Sequence, residues 1–151
     1  MRVTAKTDYA VRAAAELAAS PGGPIKGEHL ADSQDIPLQF LEHILLDLKH
    51  AGIVRARRGA KGGYWLAKPA EDVSIAEVIR AVEGPIAHVQ SAPPESITYK
   101  GSAEQLQTVW IAVRASLRSV LENISLAELV SGSLPTEVQE LADSKDAWEA
   151  R

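Results

Sequence analysis

The stretch RGAKGG at 58–63 sets Arg58 and Lys61 on a turn framed by glycines, with Arg55 and Arg57 just ahead of it. Four cations within seven residues, on backbone that glycine keeps thin, suit the binding of phosphate oxygens rather than a reaction upon them. An enzyme's phosphate loop needs a helix after its glycines and usually the pattern GxxxxGK[ST]. Here Tyr64-Trp65-Leu66 follows and reads as a strand, and no nucleophile–base or acid–base set can be assembled elsewhere, which argues against an enzyme. The histidines, His29, His43, His50 and His88, have neither H-x3-H spacing nor a carboxylate at ligand spacing, so no metal site is expected. Zero cysteines exclude disulfides, thiolate metal sites and a cysteine nucleophile.

Cations on a thin turn need a frame, and the sequence supplies a hairpin with strands at 53–57 and 64–66, a wing over 53–66. Immediately before it, 37–51 reads as a helix. Leu41, Ile44, Leu45 and Leu48 fall at i, i+3, i+4 and i+7 and form one apolar stripe, while Gln39, Glu42, His43, Asp47, Lys49 and His50 occupy the other side. Pro37 suits the first turn and Gly52 a stop. Upstream, KGEHLADS at 26–33 reads as a short helix with Leu30 and Ala31 on its apolar face, joined by Gln34-Asp35-Ile36. Helix, tight turn and helix is the helix-turn-helix pattern, in which the second helix meets base edges and the first braces it. Gln39, Glu42 and His43 sit in the opening turns of that second helix. Glu42 has two readings there, an acceptor for a cytosine amino group or a solvated charge. An alanine-rich helix over 8–19 precedes the unit, ended by Ser20-Pro21-Gly22-Gly23-Pro24.

The net charge of −4 is unevenly spread. Residues 1–69 hold ten Lys/Arg against seven Asp/Glu, a net of +3, and residues 70–151 hold six against thirteen, a net of −7. Only the first half is therefore expected to meet phosphate. No apolar run approaches the ~20 residues needed to span a bilayer. With no leader visible before the first helix, a cytoplasmic protein without membrane contact is expected.

The second half reads as a helix over 74–83, with a Ser74–Glu77 capping box and Gly84 as its stop. An irregular stretch with three prolines follows at 85–101, and then a long helix over 102–125. Leu106, Trp110, Val113, Leu117, Val120, Leu121 and Ile124 make one stripe along it. The stripe is longer than a small winged helix can cover, so a homodimer seam through Leu106, Trp110, Val113, Leu117, Val120 and Leu121 is predicted. Trp110, close to the loop, is also placed to line an effector pocket. The expected division is 1–84 for DNA binding, 85–101 as effector or linker loop, 102–134 for dimerisation and 135–151 as a mobile tail bearing Trp148. The fold class is mainly α with a small β-hairpin, a winged helix-turn-helix plus a long dimerisation helix.

MRVTAKTDYAVRAAAELA, LEHILLDLKHAGIVRARRGAKGGYWLAKP, SIAEVIRAVEG and ISLAELV together resemble the Rrf2 family of winged-helix transcription regulators, the family of IscR, NsrR and CymR, over about residues 1–130. The resemblance implies homodimers that bind double-stranded, pseudo-palindromic promoter DNA and brace each other through the long helix. It implies base contacts from Gln39, Glu42 and His43, wing contacts from Arg58 and Lys61, and Thr4 and Lys6 near phosphates. With Lys26, Arg55 and Arg57 these residues make up the expected DNA-binding set. Many members carry an iron–sulfur cluster on three cysteines of the loop that corresponds to 85–101, and some add a carboxylate at the position of Asp8. Without thiolates no cluster is expected, and Asp8 is read as a surface charge. The function that follows is a sequence-specific regulator, a repressor, without cofactor. The alternative is a winged-helix protein–protein module without DNA binding, which has little need for four wing cations. The effector stays open between a small molecule at 85–101, a partner protein and none.

Overall fold

Small side chains make the first helix the hub of the structure. The computed structural model describes residues 2–150. In chain order it has α1 (Ala5–Ala19), α2 (Gly27–Gln34), α3 (Leu38–His50), β1 (Val54–Arg57), β2 (Gly63–Leu66), α4 (Ile75–Glu83), α5 (Leu106–Leu121), α6 (Leu126–Ser131) and α7 (Thr136–Asp143). Ala10, Ala13 and Ala14 of α1 are wholly buried, and with only methyl groups in the way α2, α3, α4, α6 and β2 all reach α1. Leu41, Ile44, Leu45 and Leu48 of α3 are also wholly buried, as their period predicted. Burial of a leucine of this kind is worth about 1.5–3 kcal/mol.

α1 begins three residues earlier than expected because Thr4 caps it, accepting a hydrogen bond from the Thr7 backbone N–H at 3.0 Å. The strands pair antiparallel as Val54–Leu66, Arg55–Trp65, Ala56–Tyr64 and Arg57–Gly63. A third segment joins them: Ile25 and Tyr64 exchange two backbone hydrogen bonds of 2.9 and 2.8 Å. The mainly α class with a two-stranded hairpin is the architecture observed.

The long helix is shorter than its apolar pattern. α5 stops at Leu121, and Ser125 opens α6 with a capping box of its own, in which Ser125 and Glu128 each satisfy the other's backbone N–H. Ile124 therefore leaves the stripe to which the sequence assigned it. It is buried in its own chain, and its carbonyl accepts the Ile75 N–H at 2.9 Å. At the other end, residues 101–103 form a 3-10 turn ahead of α5.

The stretch 85–101 is irregular, as expected, but tied down. The Gln107 amide donates to the carbonyls of Ile97 at 2.8 Å, Glu95 at 3.2 Å and Pro94 at 3.4 Å, and Arg114 pairs with Glu95 at 2.6 Å. Beyond Pro135, where a mobile tail was expected, α7 and a 3-10 turn at Lys145–Trp148 carry no buried residue. No helix among the described residues is long and apolar enough to cross a membrane.

Candidate nucleic-acid interface

With its leucine stripe turned into the core, α3 has the opposite side free, and Gln39, Glu42, His43, Leu46, Lys49 and His50 are all exposed. His43 Nδ1 lies 2.9 Å from the Gln39 carbonyl. The hairpin rises next to this face. Between the two lies a cleft of about 490 Å³, bordered by Lys26, Glu42, Lys49, Arg57 and Arg58. A second concavity on the far side of the hairpin is bordered by Lys49, Arg55 and Trp65.

The wing has its shape because two glycines are pressed against backbone. A Cβ on Gly62 would run into the Arg57 carbonyl. On Gly63, at φ +143°, it would stand 2.5 Å from the Ile25 carbonyl oxygen, where the hairpin meets its third segment. Arg57 closes the turn by donating to the Lys61 carbonyl at 3.0 Å. Lys26, at the cap of α2, reaches over and donates to the Gly59 carbonyl at 2.5 Å, so the bracing helix and the wing tip are coupled.

Most of the described cations outside this surface are held in ion pairs. Lys6, Arg12, Lys68, Arg80, Arg114 and Arg118 each have a carboxylate partner. Among the described residues, Lys26, Lys49, Arg55, Arg57, Arg58 and Lys61 have none. The concentration of positive charge seen in the sequence is thus also a concentration of uncompensated charge.

Two of the expected contact residues are engaged elsewhere. Thr4, besides capping α1, donates to Glu83, which also accepts from Thr7 at 3.2 Å. Lys6 donates to the Val82 carbonyl at 2.9 Å and pairs with Asp47 of α3 at 2.8 Å. Both fasten α1 to the end of α4, and Lys6 fastens it to α3 as well. Sequence reasoning missed Leu46, although three leucines at 45, 46 and 48 are more than one stripe can hold.

Comparison with known proteins gives this geometry its family. The sequence profile of the Rrf2 family, described as "Iron-dependent Transcriptional regulator", matches residues 3–132. The chain belongs to the Rrf2 family. Rv1287 of Mycobacterium tuberculosis, named as one of the helix-turn-helix type of transcriptional regulators, is 46% identical over 151 residues, covering 99% of this chain and 94% of its own. The structure of CymR, the global cysteine regulator of Bacillus subtilis, superposes with a TM-score of 0.74 at 28% identity, over 87% of this chain and 98% of that one. The IscR structure of T. potens gives 0.71 at 28% identity, over 100% and 93%. As an Rrf2 protein the chain is a winged-helix, DNA-binding transcription regulator.

The iron in the Rrf2 description does not find its ligands here. The chain has no cysteine, and among the described residues no three His, Asp or Glu side chains gather into a metal-binding group. Asp8, the carboxylate at the position some Rrf2 members use, pairs with Arg12 at 2.9 Å. An iron–sulfur cluster held by thiolates does not fit this set of donors.

The predicted seam residues Leu106, Trp110, Val113, Leu117, Val120 and Leu121 are all half-buried in the single chain. Leu117 and Leu121 share an apolar cavity of about 420 Å³ with Ile79 and Ile86, so part of the stripe already faces its own domain.

Proposed function

We propose that this chain is a sequence-specific repressor that binds pseudo-palindromic promoter DNA as a cluster-free homodimer in the cytoplasm. The observation that carries this reading is the gathering of six cations without a carboxylate partner, Lys26, Lys49, Arg55, Arg57, Arg58 and Lys61, around α3 and the wing. Buried or paired charge has little left to offer a phosphate, whereas six unpaired cations release counterions from a duplex when they dock. α3 is wide open along Gln39, Glu42 and His43, and the major groove of B-DNA admits a helix of this width. The wing, anchored by Gly63 against Ile25, carries Arg58 and Lys61 to the flanking backbone or minor groove. Arg55, Arg57 and Lys26 stand behind them, and Lys26 and Arg57 hold the wing tip in register. Thr4 and Lys6 act indirectly, by setting α1 against α4 and α3.

The half-buried stripe of α5 supports dimerisation, and two copies would double the contact with DNA and impose two-fold symmetry on the site. The loop 85–101, strapped to α5 by Gln107 and Arg114, is where a small molecule or a partner protein would act on that helix. The test is recovery of bound genomic fragments, followed by titration of one recovered site and an unrelated duplex at two salt concentrations. Preference for the recovered site, with affinity falling steeply with salt, supports the reading. Equal binding to both duplexes, or none, sinks it.

A further inference from the structure

On the open face of α3 one residue is of the wrong type for contact with water or phosphate. Leu46 is 49% exposed and does not belong to the apolar set packed on the core. The other large apolar residue exposed on this helix, Phe40, sets its ring edge-on to Tyr9 at 5.6 Å. Leu46 is surrounded instead by the residues one turn before and after it, Glu42, His43, Lys49 and His50, all exposed. It lines the same cleft as Glu42 and Arg58. A leucine can neither donate nor accept a hydrogen bond, so among the features of the major groove it has one attractive partner, the 5-methyl group of thymine.

We propose that Leu46 is a specificity residue that reads a thymine methyl, within about two base-pair steps of the pair met by Glu42. Side chains at i and i+4 are about 5–6 Å apart along a helix face, and base pairs are stacked about 3.4 Å apart. Glu42 has no cation partner among the described residues, and its carboxylate is suited to a cytosine amino group. Together the two residues call for a cytosine and a thymine close together in each half-site. This inference rests on the DNA-reading role given to α3 above.

Selection from random duplexes with the wild-type protein yields the preferred site. Each thymine in it is then replaced singly by deoxyuridine, which removes the methyl group and nothing from the pairing edge. One position per half-site should cost the wild type about fourfold in affinity, equivalent to roughly 0.8 kcal/mol for a buried methyl-sized group at 1.4 kcal/mol per tenfold. Leu46→Ala should bind the thymine and deoxyuridine duplexes equally. Wild-type indifference at every thymine overturns the proposal, as does an undiminished deoxyuridine effect in Leu46→Ala. Failure of the selection to enrich any sequence would sink the assignment of α3 as the reader instead.

Discussion

The helix-turn-helix and α5 are built on opposite terms. In the first, Leu30, Leu41, Leu45 and Leu48 are shut away completely while Leu46 is exposed, and Lys26 and Lys49 at its surface have no carboxylate partner among the described residues. In the second, no residue of the helix is fully buried, and each of its arginines has a carboxylate beside it, Glu95 at 2.6 Å from Arg114 and Glu122 at 3.9 Å from Arg118. One region has finished its packing and kept its charge for something else. The other has settled its charge and left its packing unfinished. Long-range attraction brings a polyanion to the first, while short-range apolar contact is what the second has to offer, and these respond differently to salt.

Substitutions on either side test this contrast. The largest effect is expected from Val113→Glu combined with Val120→Glu, two stripe residues outside the cavity shared with Ile79 and Ile86, which would put unpaired charges into an apolar seam. Light scattering should give twice the 16.2 kDa chain mass for the wild type and a monomer for the variant. Affinity for a two-half-site operator should fall by about a hundredfold or more as the second contact is lost. A wild-type monomer at micromolar concentration would remove the basis of the comparison.

Next comes the wing. Gly63→Ala combines a disfavoured φ with a clash against the Ile25 carbonyl and should cost about 2–4 kcal/mol in urea unfolding. Gly52→Ala, at φ +74° with open space around the added methyl, should cost only about 1 kcal/mol. Equal costs would mean that the contact with Ile25 is not what fixes the hairpin.

Within the DNA face, Gln39→Ala and Glu42→Ala should each lose about 1–3 kcal/mol on the operator and little on unrelated DNA. Lys61→Ala should weaken both and lower the salt slope by about one per phosphate contact. If Lys61→Ala erased discrimination while the helix variants kept it, reader and clamp would be reversed.

The smallest effect is expected from pH. Burial pushes the Glu77 carboxyl up, but the hydrogen bonds from Lys68 and the Ser74 N–H, with the charges of Lys68 and Arg80, outweigh it and hold the group below the usual carboxylate range. Its contribution is therefore present above the ordinary carboxylate pKa and is lost as pH falls through the lower value of the folded state. Because Glu77 and Lys68 are both well exposed, the loss should stay below about 1 kcal/mol. It should appear as a smaller acid-induced fall in stability for Glu77→Gln than for the wild type, measured by denaturant unfolding from neutral pH to about pH 3.

What was legible in the sequence is local. The leucine period of α3, the Ser74–Glu77 cap and the glycine-framed cations needed no knowledge of distant residues. The caps at Thr4 and Ser125 are equally local, but the second is masked by an apolar pattern that continues from α5 through Ile124. Partnerships across the chain were not legible: the bridge from Ile25 to Tyr64, the hold of Lys6 on Asp47, and the pairing of Arg80 with Glu122 and Arg114 with Glu95 while the wing cations have no carboxylate partner. Each depends on which surfaces meet, and spacing does not encode that. Leu46 lies between these cases, since an extra leucine off the stripe is visible in the sequence, but its polar surroundings become plain only once the helix is turned into place.

The meeting of Ser74 and Ser125 has a mechanical consequence. The backbones around these two caps are stitched antiparallel, Ile75 to Ile124 and Leu126 to Val73, each at 2.9 Å, and Leu126 is wholly buried beyond the seam. Residues 84–123 therefore leave the winged helix and return to the start of the same helix from which they departed. α5 is a handle riveted at both ends, not a lever hung from one hinge. A pull on it cannot be absorbed by swinging a single joint, and is shared between the end of α4 and the root of α4, which both rest on the helix that carries the DNA-binding unit.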